Sequence, residues 1–233
     1  MKIAIIPARG GSKRIPRKNL KLFHGLPIIA YTIETLIESD IFAEVIVSTD
    51  DEEIAEVSRS FGAKVPWLRS KDLADDYTTT SRVIQDAVQK LKTSWGSLES
   101  ICCVYPTTPF LKSDCIVEGY KTMVKGDWDY VFSGMKVNAN PQRFFSLEKS
   151  KQVELLFPQY ELARTQDLLP VYCDAGQFYW GTRMAWESGL PIFSSKSTIL
   201  ELPSESVIDI DTEDDWHAAE RLFESQKGYQ FEK

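Results

Sequence analysis

Histidine is nearly absent from this chain: 233 residues contain two, His24 and His217. Cysteine is scarce too, with Cys102, Cys103, Cys115 and Cys173 and no pair at C-x-x-C spacing. Zinc centres draw on those two residue types at close spacing, so none is expected. No apolar run reaches the roughly 18 residues that a membrane-spanning helix needs, and the first residues already read as a core strand rather than a secretory leader. A surplus of positive charge is also missing. Lys and Arg number 27 against 34 Asp and Glu, a net charge of −7. That balance disfavours general affinity for nucleic acid or membrane surfaces and leaves room for a local basic pocket. Neither an internal repeat nor a low-complexity segment is visible. The expected setting is cytoplasmic, with reduced thiols.

Apolar residues make up 43% of the chain and charged residues 26%, the balance of a globular protein. The length suits one α/β domain with a substantial core. The positive charge is gathered in one place. After the apolar run Ile3–Ile6, a buried-strand pattern, residues 7–19 read Pro-Ala-Arg-Gly-Gly-Ser-Lys-Arg-Ile-Pro-Arg-Lys-Asn. Arg9, Lys13, Arg14, Arg17 and Lys18 surround two glycines that free the backbone to approach a ligand. Backbone N–H groups and cations converging in such a loop suit a phosphate-rich anion, a triphosphate above all. The string matches neither G-x-x-x-x-G-K-[ST] nor G-x-G-x-x-G. A solvated basic turn between strand and helix is the plainer alternative.

Further on, residues 26–39 read as a helix, with Pro27 at its first position and Ile29, Ile33, Leu36 and Ile37 on one face. Residues 44–48 form a second strand. Asp50 is placed as the cap of a helix burying Ile54, Val57 and Phe61 and ending at Gly62, with Asp51, Glu52 and Glu53 in its first turn. A polar loop over 64–80, a helix over 81–92, a strand over 100–105, a helix over 114–124 and a strand over 130–135 continue the alternation. That order predicts a mainly parallel sheet with helices on its faces. Ligands of such sheets sit beyond the carboxyl ends of the strands. The 7–19 loop, residues 48–50 and residues 105–109 should therefore line one crevice. The alternation stops over about 137–172, where Phe144, Phe145, Phe157 and Tyr160 mix with charges. This reads as an inserted arm, a subunit interface or a lid. Strands return at 176–181 and 199–202.

Near the end, Asp209, Ile210 and Asp211 alternate as at a strand end, so both carboxylates face one side. Thr212 and Asp215 form a capping box for a last helix carrying Trp216, Ala219, Leu222 and Phe223. Paired carboxylates suit magnesium shared with substrate phosphates; acidic decoration of a helix start explains them equally. Asp50 is a second metal candidate. Thr78, Thr79 and Thr80 offer hydroxyls or a helix cap. Arg143 and Arg164 could pair with a sugar carboxylate or be plain surface cations. His24 and His217 read as structural.

Several motifs, in order, resemble those of the CMP-sialic acid synthetase family: Pro7-Ala-Arg-Gly-Gly-Ser-Lys13 with Lys18-Asn19, Val47-Ser-Thr-Asp50, Pro106-Thr-Thr-Pro109 and Asp209-Ile-Asp211. The string Lys13-Arg-Ile-Pro-Arg-Lys-Asn19, with Tyr105-Pro-Thr-Thr-Pro-Phe110, Arg164-Thr-Gln166 and Asp174-Ala-Gly-Gln-Phe-Tyr-Trp180, is most similar to its pseudaminic acid subgroup. Cys173 departs from it, standing where that subgroup has histidine. The resemblance implies a Rossmann-like three-layer nucleotidyltransferase fold in a single domain over 1–233, magnesium dependence, and a homodimer made through the arm. It implies transfer of CMP from CTP to a nonulosonic acid, with neuraminic, legionaminic or ketodeoxyoctonic acid as alternatives to pseudaminic acid. A non-catalytic nucleotide-binding scaffold on the same fold is the other class of reading.

By this resemblance Arg9, Lys13, Lys18 and Asp211 are catalytic. The nucleotide would be held by Ala8, Arg9, Gly10, Gly11, Ser12, Lys13, Lys18, Asn19, Arg69 and Thr78, Thr79 and Thr80. The sugar would be held by Tyr105, Thr107, Arg164, Gln166, Gln177 and Tyr179, and magnesium by Asp209 and Asp211.

Overall fold

The computed structural model describes residues 1–92, 98–147 and 149–228. Its first half runs β1 (Lys2–Pro7), β2 (Leu22–Phe23), β3 (Leu26–Pro27), α1 (Ile28–Glu38), β4 (Glu44–Ser48), α2 (Glu52–Ser60), α3 (Thr80–Lys92), β5 (Ser100–Val104) and α4 (Ser113–Gly126). The second half adds β6 (Tyr130–Lys136), β7 (Phe145–Leu147), β8 (Val153–Leu155), β9 (Tyr172–Thr182), α5 (Arg183–Ser188), β10 (Ser197–Glu201) and α6 (Glu213–Gly228).

Six strands form one sheet in the order β10-β6-β9-β5-β1-β4. β1 pairs in parallel with both β4 and β5, and β10 with β6, while β9 runs antiparallel between β5 and β6. The mainly parallel α/β sheet expected from the alternation is what forms, and the arm's return accounts for the reversed strand. β9 enters from the far end of the sheet because residues 137–171 have carried the chain beyond the carboxyl end of β6. The arm closes at its base where the Val137 amide donates to the Val171 carbonyl at 2.9 Å.

β1 and β5 are buried almost throughout, as strands covered on both faces must be. One face packs Ala4, Ile6, Cys102 and Val104 against α1, α2 and α4. The other packs Ile3, Ile5, Ile101 and Cys103 against α3 and α5. A third, smaller cluster joins Ile15, Phe23, Ile28, Phe110, Ile210, Trp216 and Ala219. It matters most for the site, because Ile15 sits in the middle of the basic loop and Ile210 between the paired carboxylates. Burying these two isoleucines, worth ~1.5–3 kcal/mol each, pins both segments to the same patch of core.

Three local expectations are corrected. Pro27 is the residue before α1, not its first residue; the β2–β3 pair holds it extended. Ile37 lies off the buried stripe and is exposed, while Ile28 takes its place inside. The cap of α2 is Asp51, whose carboxylate accepts the Ile54 amide at 3.0 Å, and not Asp50. Two adjacent aspartates satisfy the capping rule equally, so only the exit direction of β4 decides between them. The Thr212–Asp215 capping box forms as expected: the Thr212 amide donates to Asp215 Oδ2 at 2.8 Å and the Asp215 amide to Thr212 Oγ1 at 3.2 Å.

Candidate active site

The cleft lies beyond the carboxyl ends of β1 and β5, with a volume of about 640 Å³; residues 48–50, expected in its lining, do not line it and instead support the basic loop through the Ser48 carbonyl and Asp50. β1 ends at Pro7, and the chain turns into the basic loop. The Ala8 amide donates to the Ser48 carbonyl at 2.9 Å, which keeps the loop's start beside the end of β4. Ala8 itself is fully buried and supports the loop from behind. Gly10 must be glycine: a Cβ there would stand 2.6 Å from Asp51 Oδ2. Asp51 is fixed by its cap and by an ion pair with Arg17, which holds the Asp51 carboxyl below the usual carboxylate range. Gly11 faces open space.

Arg9, Ser12, Lys13, Arg14, Lys18 and Asn19 all line the cleft. Their positions are set by contacts rather than by chance. Asn19 is buried and its Nδ2 donates to the Arg9 carbonyl at 2.9 Å. Lys18 Nζ donates to the Ile210 carbonyl at 2.6 Å and lies 3.4 Å from Asp211 Oδ1. Arg14 pairs with Asp211 at 2.8 Å. Opposite them, the loop before α3 offers Asp76, which accepts from Arg9 at 2.7 Å and pairs also with Lys13. Asp75 and Asp76 are cleft residues that the sequence reading missed. The sole signal was an acidic pair one residue ahead of the threonines. A triphosphate entering here would displace Asp76 from the two cations, exchanging one carboxylate for a more highly charged group.

The carboxylate segment differs from its expected form. Residues 207–211 form no strand and pair with none of the described strands. The alternation survives because Ile210 is anchored in the third cluster, which leaves Asp209 and Asp211 both lining the cleft. Desolvation by the cleft wall, and then the neighbouring Asp211 charge, raise the Asp209 pKa above the usual carboxylate range, although the residue keeps solvent access. Asp209 has no hydrogen-bonding or ion-pairing partner among the described residues. Two carboxylates lining one cleft, one of them without a hydrogen-bonding or ion-pairing partner among the described residues, are a donor set that fits a hard divalent cation.

The linkage has a definite sign. A carboxyl whose folded pKa is raised binds its proton more tightly in the folded state. Its ionisation therefore weakens the fold as pH rises out of the carboxylate range. Asp209→Asn is expected to raise the thermal midpoint of metal-free protein at neutral pH. Magnesium is expected to raise that midpoint in the parent and not in the variant. Scanning calorimetry with and without magnesium checks both, and an equal response of the two proteins would count against the pair as a cation site.

At the other end of the cleft stand Arg69, Thr78, Thr80, Tyr105 and Thr107. Arg69 is buried, its Nε has no partner among the described residues, and burial depresses its pKa against the opposing pull of Asp50. Thr79 faces away and caps α3, accepting the Arg82 amide at 3.3 Å. Thr80 Oγ1 lies 3.3 Å from the Tyr105 hydroxyl. Tyr179 stands behind Tyr105, with ring centroids 5.5 Å apart, and donates to Asp174 Oδ2 at 2.6 Å. Burial raises the pKa of both tyrosines, so they remain protonated donors. Gln177 is buried and gives its amide to the Ser206 carbonyl at 2.9 Å. Gln177 and Tyr179 thus form the wall behind the cleft. Arg164 and Gln166 lie on the exposed arm, where Arg164 pairs with Asp167 at 2.8 Å. Arg143 is held to arm carbonyls. The fold of this one chain does not bring the arm arginines to the cleft. His24 and His217 both bind α6 through Glu220, away from the cleft.

A mainly parallel α/β sheet whose first loop gathers cations beside a carboxylate pair has the form of a nucleotidyltransferase. Comparison with known proteins carries this further. Residues 3–226 match the family model described as cytidylyltransferase, and the chain belongs to that family. It is 41% identical over 221 residues, 95% of each chain, to the pseudaminic acid cytidylyltransferase of Campylobacter jejuni subsp. jejuni serotype O:2. It is 35% identical to the CMP-N,N'-diacetyllegionaminic acid synthase of Legionella pneumophila, over 95% of this chain and 96% of that one. The fold matches a solved CMP:2-keto-3-deoxy-manno-octonic acid synthetase complexed with CTP, with a TM-score of 0.72 over 97% of this chain and 99% of that one at 17% identity.

Proposed function

We propose that this cytidylyltransferase joins CMP from CTP to the anomeric hydroxyl of a nonulosonic acid, pseudaminic acid in the first place. The observation that carries the reaction class is the single cleft in which Arg9, Lys13, Arg14 and Lys18 face Asp209 and Asp211. The substrate rests on the likeness to the pseudaminic acid enzyme along nearly the whole of both chains.

In this reading the hydroxyl oxygen attacks the α-phosphorus of CTP in line. The bond to the β-phosphate oxygen breaks, the hydroxyl proton is released, and pyrophosphate leaves. No covalent enzyme intermediate is required. Arg9, Lys13 and Lys18 hold the triphosphate and take up the charge that grows on the leaving pyrophosphate. Asp209 and Asp211 would hold magnesium, which supplies charge neutralisation and orientation of the phosphates when bound. Asn19, Arg69, Thr78 and Thr80 would face the cytidine, Thr79 being turned to the cap of α3. Tyr105 and Thr107, backed by Gln177 and Tyr179, would face the sugar.

Arg164 and Gln166 reach a sugar in this scheme only from a second copy of the chain. The arm bares Phe144, Phe145, Leu147, Val153, Leu156 and Leu162, large apolar side chains of the kind a subunit interface covers. A homodimer through the arm would cover them. Sedimentation equilibrium should then return twice the chain mass of 26.5 kDa, and a single-chain mass would remove the arm from the sugar site.

The deciding experiment is pyrophosphate release from CTP and magnesium with pseudaminic, neuraminic, legionaminic and ketodeoxyoctonic acids offered separately. Release with pseudaminic acid alone is expected. Release with another acid alone would keep the reaction and replace the substrate. Silence with all four, while CTP binds, would favour a nucleotide-binding scaffold.

A further inference from the structure

We infer that Asp50 is a positioning residue that locks the phosphate loop and Arg69 into one nucleotide-binding unit. The inference rests on the cytidylyltransferase reading above and adds a residue which that reading leaves without a role. Asp50 stands at the carboxyl end of β4, one residue before the helix cap, and is mostly shielded from water, with a side-chain exposure of 23%. Its Oδ1 accepts the Gly10 amide at 3.1 Å and lies 3.6 Å from Arg69 Nη2. A single carboxylate oxygen thus holds the turn of the basic loop and the head of a buried arginine from the neighbouring segment.

The surrounding backbone shows why this link is needed. The Ala8 amide reaches the Ser48 carbonyl at 2.9 Å, and the Arg69 amide reaches the Thr49 carbonyl at 2.7 Å. Three separate segments, 8–10, 48–50 and 68–69, therefore meet at one point with Asp50 at its centre. Backbone bonds fix where the segments lie. They do not fix the Arg69 side chain, which is 3% exposed, lines the cleft, and leaves its Nε unpartnered among the described residues. A buried guanidinium needs a counter-charge, and removing it leaves an uncompensated ion that must move or recruit water. Asp50 does not line the cleft, and its Oδ1 contacts are the Gly10 N–H and the Arg69 guanidinium. Its effect on the nucleotide is therefore indirect, through the two groups it orients.

The test is calorimetric titration of CTP into the full chain without sugar, beside steady-state KM values for CTP and sugar. Asp50→Asn keeps an acceptor for Gly10 and removes the charge facing Arg69. It is expected to weaken CTP binding roughly ten- to hundredfold, the range for losing a hydrogen bond to a charged group, with the sugar KM unchanged. Asp50→Glu, which restores the charge, is expected to recover part of the loss. Arg69→Ala alone should weaken CTP to a similar degree, and Asp50→Asn on top of it should add less than it does alone. Unaltered CTP affinity in Asp50→Asn would overturn the inference. So would full additivity in the double variant, or a loss shared equally by CTP and sugar. Failure of the parent itself to bind CTP would overturn the cytidylyltransferase reading and this inference with it.

Discussion

Asp211→Ala is expected to lower turnover at saturating CTP and sugar by about a thousandfold, corresponding to ~4 kcal/mol of lost transition-state stabilisation. Two losses combine. The variant removes one of the two carboxylates that fit a divalent cation, leaving Asp209 alone. It also frees Arg14 and Lys18, which both pair with Asp211 Oδ1, so two cations that should face phosphate lose the anchor that aims them. The fold should hardly notice. The Asp211 side chain is one-third exposed, and partly exposed ion pairs contribute at most about 1 kcal/mol. A midpoint drop of no more than roughly 4 °C is the corresponding expectation for a chain of this size. Circular dichroism on heating separates the two effects from pyrophosphate release. Near-normal turnover would remove Asp211 from the chemistry, and Asp209 with it.

How far this site could be read beforehand depends on the distance over which each residue's environment is set. The basic loop was legible because its five cations fall within residues 9–18, and a strand ending at Pro7 can deliver them to only one end of the sheet. The carboxylate pair was legible as a same-side pair because the apolar Ile210 between the two aspartates has to turn into the core. That it forms no ladder was not legible, since ladder formation depends on a neighbouring strand. Asp50 and Asp51 were interchangeable by local rules, and the Gly10 and Arg69 contacts that separate them come from 40 and 19 residues away. Asp76 was invisible for the same reason: its cations lie more than 60 positions earlier. The sheet was legible in its parallel part, where strand and helix alternate. The reversed direction of β9 follows from where the arm returns the chain, which no local pattern encodes.

That separation of near and far effects gives the second large expectation. Lys18→Ala should lower kcat by roughly a hundred- to thousandfold, while Lys13→Ala should mainly raise the KM for CTP, by tenfold or less. Both lysines carry the same charge and belong to the same loop, so sequence ranks them equally. Their surroundings differ. The Lys13 side chain is 76% exposed and, among the described residues, pairs only with Asp76, where water and salt screen its charge. The Lys18 side chain is 19% exposed and its Nζ is held at 2.6 Å by the Ile210 carbonyl beside Asp211. A cation fixed before substrate arrives needs no reorganisation when charge shifts onto the leaving pyrophosphate, and partial burial lets it act at lower screening. Its contribution should therefore appear in the transition state and in kcat. Lys13 can contribute chiefly to gathering the triphosphate, which raises affinity without speeding the chemical step. Raising the salt concentration should weaken CTP binding less in Lys13→Ala than in the parent, because the screened contact is already gone. Lys18→Arg should restore little, since a planar fork cannot occupy the position of a point charge pinned by one carbonyl. Steady-state kinetics for the three variants decide it. A larger kcat loss from Lys13→Ala than from Lys18→Ala would reverse the assignment and place the growing charge at the open end of the loop.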